Sequence, residues 1–493
     1  MQFYKSCNFL INIRYSHGTL PRQYNILIFY DGQSLLNLKL LDRQLTRFYL
    51  FYSGLHMNKF TLSLLALSTA TLMTSSYAEQ AFDLNSTTMT GDWNGTRTEL
   101  AEKGIKFDGT IAVDGSYLAD GGYDAHQAPT FGTQFGVGTT LDMQKLAGWN
   151  GVTVRALVTA RQGESTSLRG IQDPTAPQWA NSQANWGRGN SGSRLSELYI
   201  DKKFDSGWDV RLGRMGLGTE FNTMACDFQS NAFCAAQMGK WQGKLWYNTP
   251  VSQWGGRVKY NLTPELFTQV GVFEYNPENA LERHGWNLDT KNADGINILS
   301  EVVWSPEQGL NDLAGSYRLG TLYNTADDAK NQYDVAYAAK TVGEDRSYGG
   351  WLAFEQQLTS TGVGRQGLHS FGNFTFHDRT TTAVSDSQQL GLKYYGLFEG
   401  HPNDILGFAV NRVQINDRYR DFVNTTRTNP ANVQQNNKAL LNKDAEYNLE
   451  FNYSYYPAKW LMLRPLLQYV VYPGATNQVD NALVVGLGSK FIF

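Results

Sequence analysis

A mean hydropathy of −0.40 leaves the chain too polar for a bundle of membrane helices. Proline is scarce, 13 of 493 residues, and cysteine scarcer still, with three. Neither Cys-x-x-Cys nor His-x-His accompanies the cysteines, which argues against a metal centre. There is no Gly-x-Ser-x-Gly motif. Of the histidines at 126, 284, 369, 377 and 401, only His369 and His377 share a candidate strand, and they stand at its opposite ends. A nucleophile with an adjacent histidine base is therefore not in view, and neither an enzyme nor a cofactor is expected. What the sequence does have is 48 glycines and 13% aromatic residues, a composition of many strands joined by tight turns. A β-barrel in a membrane reconciles the two, because only alternate residues of each strand meet lipid.

The segment from Met57 reads as a secretory leader: one lysine, an apolar run from Phe60 to Met73, and a small-x-small cleavage signal at Ser76-Tyr77-Ala78. The run is too short to span a bilayer. A leader does not work from mid-chain, so residues 1–56 are expected to be an upstream extension from a misassigned start; a structured extension is the rival reading. Removing residues 1–78 leaves 35 basic against 43 acidic side chains, a formal charge of −8, which disfavours nucleic acid as a partner. It also leaves Cys226 and Cys234 in an oxidising compartment, where a disulfide between them is the default.

Residues 79–104 are expected to form a periplasmic segment with one short helix around Glu99–Lys103. No long helix is expected after it. Instead, segments of period-two alternation are predicted near 105–118, 131–143, 151–162, 194–204, 208–214, 252–261, 266–275, 295–304, 313–324, 347–358, 367–377, 388–399, 405–416, 444–456, 460–472 and 482–493. The gaps between them alternate long and short, as the outer loops and periplasmic turns of an outer-membrane barrel do. Sixteen antiparallel strands, closed on themselves over 105–493, are thus the predicted all-β fold. The last strand places Leu483, Val485, Leu487, Phe491 and Phe493 on one face, and its terminal aromatic is similar to the signal read by barrel-assembly machinery.

Alternation also predicts what lines the interior. Arg155, Arg161 and Arg211 are expected as donors to solute at a constriction, and Glu197, Asp201, Glu446 and Glu450 as acceptors. On the same parity Arg257, Lys259, Glu355, Arg464 and Gln468 face inward, while Tyr469 and Val471 face lipid. A lumen of mixed sign suits neutral polyhydroxylated solutes, since each group can take over a bond that a hydroxyl made to water. The plainer reading is that such charges pair along the wall and stiffen it. Loops 163–193 and 215–251 are expected to fold inward, with Trp179, Trp186, Trp241 and Trp246 able to offer faces to a sugar ring.

Several stretches resemble the OprB-type carbohydrate-selective porin family: Gly91-Asp92-Trp93-Asn94-Gly95-Thr96-Arg97, Arg194 to Tyr199, Cys226-Asp227-Phe228-Gln229 to Phe233-Cys234, Trp254 to Tyr260, Tyr395 to Phe398, Asp404 to Ala409, and Arg464 to Tyr469 with Pro473-Gly474. The resemblance implies sixteen strands, an arginine-lined pore narrowed by inward loops, and uptake of glucose or related small sugars. His401 and Leu466 depart from the family pattern, where an arginine and an acidic residue are common. The expected surroundings are outer-membrane lipid and lipopolysaccharide, with the chain a monomer or homotrimer. The alternatives are a general porin, or one for another small polar solute such as a hydroxylated acid, which liposome swelling with sugars against amino acids separates; and an adhesion role for the outer loops, which would leave the channel closed. Gly216-Leu217-Gly218 and Gly486-Leu487-Gly488-Ser489-Lys490 lack the strand–helix setting of a nucleotide loop and read as barrel glycines.

Overall fold

The computed structural model describes residues 9–15, 22–29, 37–40, 81–180, 192–241, 246–326, 346–431, 435 and 438–493. Three strands, β1 (Phe9–Tyr15), β2 (Arg22–Phe29) and β3 (Asn37–Leu40), form a small antiparallel sheet in a unit of its own. The expected leader lies outside the described residues.

In the main unit a short helix, α1 (Thr96–Glu102), precedes a closed antiparallel barrel of sixteen strands. The first half comprises β4 (Ile105–Gly122), β5 (Thr130–Asp142), β6 (Val152–Gly163), β7 (Gly192–Lys203), β8 (Trp208–Met215), β9 (Gln253–Asn261), β10 (Leu266–Tyr275) and β11 (Gly295–Trp304). The second comprises β12 (Gly315–Asn324), β13 (Ser347–Gln357), β14 (Gly367–His377), β15 (Val384–Tyr395), β16 (Ile405–Ile415), β17 (Ala445–Ala458), β18 (Leu461–Val471) and β19 (Asp480–Ile492). Each strand pairs with its sequence neighbour, and β19 closes on β4 with Val485 opposite Tyr117 and Phe491 opposite Ile111. Closure leaves no strand edge for lipid to meet. All sixteen predicted strands are present; the largest boundary errors are at β4, which runs on to Gly122, and β15, which begins at Val384.

The outer surface carries an apolar band that includes Leu212, Val270, Val302, Leu319 and Leu487. Aromatics flank it on both sides: Trp208 against Tyr260 and Trp304 against Tyr317 on the side of the short turns, with Tyr323, Tyr348, Phe376 and Tyr447 near the opposite rim. Phe493 lies stacked on Phe135, ring centroids 5.6 Å apart, over Gly109, where a Cβ would stand 2.5 Å from its ring.

Two expectations about the connections need correction. The Asn-rich stretch after β16 holds a twelve-residue helix (Asp417–Thr428) where no long helix was expected. Its start is fixed by Asn416, whose side chain accepts from the Arg418 amide at 3.1 Å, and by Asp417 in the first turn. It buries no residue fully; Tyr419 and Val423, four residues apart, pack on the cluster of Ala176, Ile415 and Leu441, an apolar stripe too short to stand out in the polar run around it. The short turn after β5 likewise forms a single helical turn (Met143–Ala147), capped by Asp142.

Candidate functional site

Inside the wall, residues 164–180 of the first long connection and 216–241 and 246–252 of the second turn back into the barrel. Met215, Leu217, Phe221, Met238 and Trp246 pack on Phe273, Leu299, Leu322 and Trp351 of β10 to β13. Trp351 has room because Gly320 faces it: a Cβ there would lie 2.1 Å from the indole. Farther along, Phe228, Phe233 and Trp241 pack on Phe371, Ala409 and Val413 of β14 and β16. Where a loop rests on the inner wall, apolar patches therefore lie among buried polar groups.

Three wall carboxylates catch loop amides. Glu446 accepts from the Trp179, Ala180 and Gly474 amides at 3.0, 2.9 and 2.9 Å. Glu450 accepts from Gln229 and Ser230 at 2.9 and 2.7 Å, and Glu301 from Asn222 at 2.9 Å. Each is buried, and the remaining carboxylate contacts are taken by Asn448, by Asn452 with Gln468, and by Trp351 with Gln269. A carboxylate so enclosed has no lone pair left for a solute. The expected role of Glu446 and Glu450 as solute acceptors is therefore corrected: they anchor loops.

The tip of the second loop reaches deepest. The disulfide Cys226–Cys234 closes it, and Asp227 pairs with Lys393 at 2.9 Å, two residues from the short-turn end of β15. Burial alone would push the Asp227 carboxyl up, but the Lys393 ammonium, with Arg464 and Arg365 farther off, holds it below the usual carboxylate range.

The remaining predicted residues lie on β6 to β8. Arg155 binds Asp108 and Glu197, the latter at 3.2 Å, and Arg155 and Glu197 keep 15% and 14% of their side-chain surface open. Arg211 pairs with Asp201 at 2.9 Å and Glu220 at 2.5 Å, lies 4.2 Å from the Tyr199 ring centre and is 19% open. Behind it, Arg257 joins Asp201, Asp209 and Glu220 in one network, which leaves Asp201 4% exposed. Arg161 is buried, donating to Gln134 and to the Thr249 carbonyl at 3.0 Å, so it holds the root of the second loop. Of the seven, the structure brings together Arg155, Glu197, Asp201 and Arg211; of these Arg155, Glu197 and Arg211 stay partly open. Arg161, Glu446 and Glu450 belong with the loops. Trp241 and Trp246 are core residues rather than sugar platforms, Trp179 is partly buried at the loop core and edge-on to Tyr419, and Trp186 lies outside the described residues.

A second opening was not anticipated. A cavity of about 410 Å³ lies between the loop residues Thr223–Ala225 and the wall, lined by Arg318, Phe354, Glu355, Arg365 and His369. Its size falls in the range of small-molecule sites. Glu355 is its charged centre, 3.0 Å from Lys393 and 2.5 Å from Arg365. Glu355 was legible as an inward residue; Arg365 was not, because it comes from a short turn that carries no strand parity.

Residues 126–493 match the family described as carbohydrate-selective porin, OprB family. Porin B of Pseudomonas aeruginosa is 38% identical over 441 residues, covering 87% of this chain and 96% of its own. The putative porin QuiX of Acinetobacter baylyi is 35% identical over 412 residues, covering 82% and 92%. The high-pH structure of Pseudomonas putida OprB superposes with a TM-score of 0.79 at 40% identity, over 84% of this chain and all of that one.

Proposed function

Because this chain belongs to the OprB family of carbohydrate-selective porins, a family of outer-membrane channels, we propose that small neutral sugars such as glucose cross it by passive diffusion and exchange hydration for the partly open charges of β6 to β8. The observation that carries this reading is the pairing of Arg155 with Glu197, with Arg211 held between Asp201 and Glu220 close by, so that two guanidiniums and the Glu197 carboxylate stay partly open side by side. A paired guanidinium retains free N–H groups for hydroxyl oxygens, and the neighbouring carboxylate accepts from the hydroxyl hydrogens. Binding of this kind is weak enough to release the solute, as conduction requires. The cavity around Glu355, nearer the short turns, is the natural second stop. Export by the leader at 57–78, recognition of Phe493 by assembly machinery, and a monomer or homotrimer surrounded by lipopolysaccharide complete the proposal.

Glucose titrated against single-channel current tests it. Arg155→Ala should raise the half-blocking glucose concentration by about tenfold, the equivalent of one charge-assisted hydrogen bond, while the open conductance stays near its original value. Arg161→Ala should act differently, adding larger conductance levels as the second loop loosens. Unchanged glucose block in Arg155→Ala would remove that arginine from the sugar path. Unchanged conductance and sugar permeability in a variant carrying Arg155→Ala and Arg161→Ala together would refute both assignments.

A further inference from the structure

The outward faces of β15 and β16 are apolar across the middle of the barrel, where Leu390, Leu392, Phe408 and Val410 are exposed. Following the same parity toward the rim, the next outward residues are Gln388 and Asp386 on β15 and Arg412 and Gln414 on β16. The inward alternates Ser387, Gln389, Asn411 and Val413 are buried, which fixes the orientation of the four. They form one hydrogen-bonded group. Arg412 Nη1 lies 2.9 Å from Gln388 Oε1 and 3.3 Å from Asp386 Oδ1, Arg412 Nη2 donates to Gln414, and Gln388 donates to Asp386.

The level of this group in the membrane is set by its neighbours. Asp386 stands opposite Phe376, and Arg412 opposite Tyr447, both exposed aromatics of the outer girdle. The girdle is therefore interrupted by a polar patch two strands wide. Arg412 lies three residues below the end of β16, about 10 Å along the strand, at the depth of lipid headgroups. Above the patch come Arg379, which pairs with Asp417, and the exposed Arg418. Arg412, Arg379 and Arg418 stand here with Asp386 and Asp417, and Arg420 beyond them is taken up by Asp444 and Asp421.

We propose that this patch is a docking site for the phosphorylated headgroup of an outer-leaflet glycolipid. Arg412 supplies the phosphate contact, Gln388 and Gln414 orient its guanidinium, and the apolar strip below accommodates the acyl chains. Arginine's planar fork matches a phosphate's oxygens, and Asp386 limits the strength of the site. A second copy of the chain fits less well. Four polar residues fall far short of the roughly 800 Å² per partner that stable association needs.

The test is native mass spectrometry of the full chain in detergent, with bisphosphorylated lipid A as probe and dephosphorylated lipid A as control. The unaltered protein should retain the phosphorylated form preferentially. Arg412→Gln should weaken retention by about tenfold, and Asp386→Asn should strengthen it. Neither should alter glucose block of the current, because the group lies outside the wall. Equal retention of the two lipids, or Arg412→Gln binding as the unaltered protein does, overturns the proposal. A change of oligomeric state in Arg412→Gln with lipid retention intact would reassign the patch to a second copy. If Arg412→Gln does not assemble, Asp386→Asn decides by its opposite sign.

Discussion

Glu450→Ala is expected to add a population of larger conductance levels to the single-channel record and to flatten its dependence on sugar size. The carboxylate accepts from Gln229 and Ser230 at the loop tip, and alanine leaves both amides without a partner. Two charge-assisted hydrogen bonds at the low end of their range are on the order of 3 kcal/mol, enough to multiply the undocked population by roughly a hundred. The barrel should survive, since strand pairing does not involve that side chain. Glu446→Ala should do the same to the first loop through Trp179 and Ala180, and the two changes should couple rather than add, because Trp179 and Ala180 pack in one cluster with Phe228 and Phe233. A current record indistinguishable from the unaltered protein would mean that the apolar contacts of Phe228 and Phe233, with the Asp227–Lys393 pair, hold the tip without Glu450.

Replacing Cys226 and Cys234 by serine should loosen the same tip without touching the wall. The bridge spans eight positions, and closing so short a loop contributes about 2.5 kcal/mol by the chain-entropy estimate. Amide hydrogen exchange over residues 227–233 should then accelerate roughly seventyfold where it proceeds by local opening, while the β-strand amides keep their protection. The current should flicker more, because Asp227 and its contact to Lys393 move with the tip. Exchange at an unchanged rate would show that Glu450 and the aromatic contacts suffice.

The wall was legible because lipid imposes a rule on every second residue, and a rule repeated sixteen times is hard to miss. Parity placed Glu446 and Glu450 inside correctly, yet it reports a direction and not a neighbour. Their partners, Trp179 and Gln229, lie more than two hundred residues away in loops whose sequence carries no period. The same blindness made Trp246 look available to solute, when it lies edge-on against Trp351 with ring centroids 5.6 Å apart. The helix at Asp417–Thr428 escaped for another reason: a cap and ion pairs such as Arg420 with Asp444 hold much of it, and its apolar stripe is no longer than Tyr419 and Val423. Arg211 was legible in direction and in chemistry together, because its partner Asp201 faces it on the adjoining strand.

The hooks also impose an order of events. The second loop leaves the chain after β8, but its seats are Glu301 on β11, Lys393 on β15 and Glu450 on β17, so translation delivers the plug long before its sockets. Until the C-terminal strands join, Phe228 and Phe233 at its tip have nowhere to settle, and a half-built sheet is a wide trough. The narrow aperture therefore depends on the C-terminal strands, and loss of a hook would leave a finished wall with an unfinished filter.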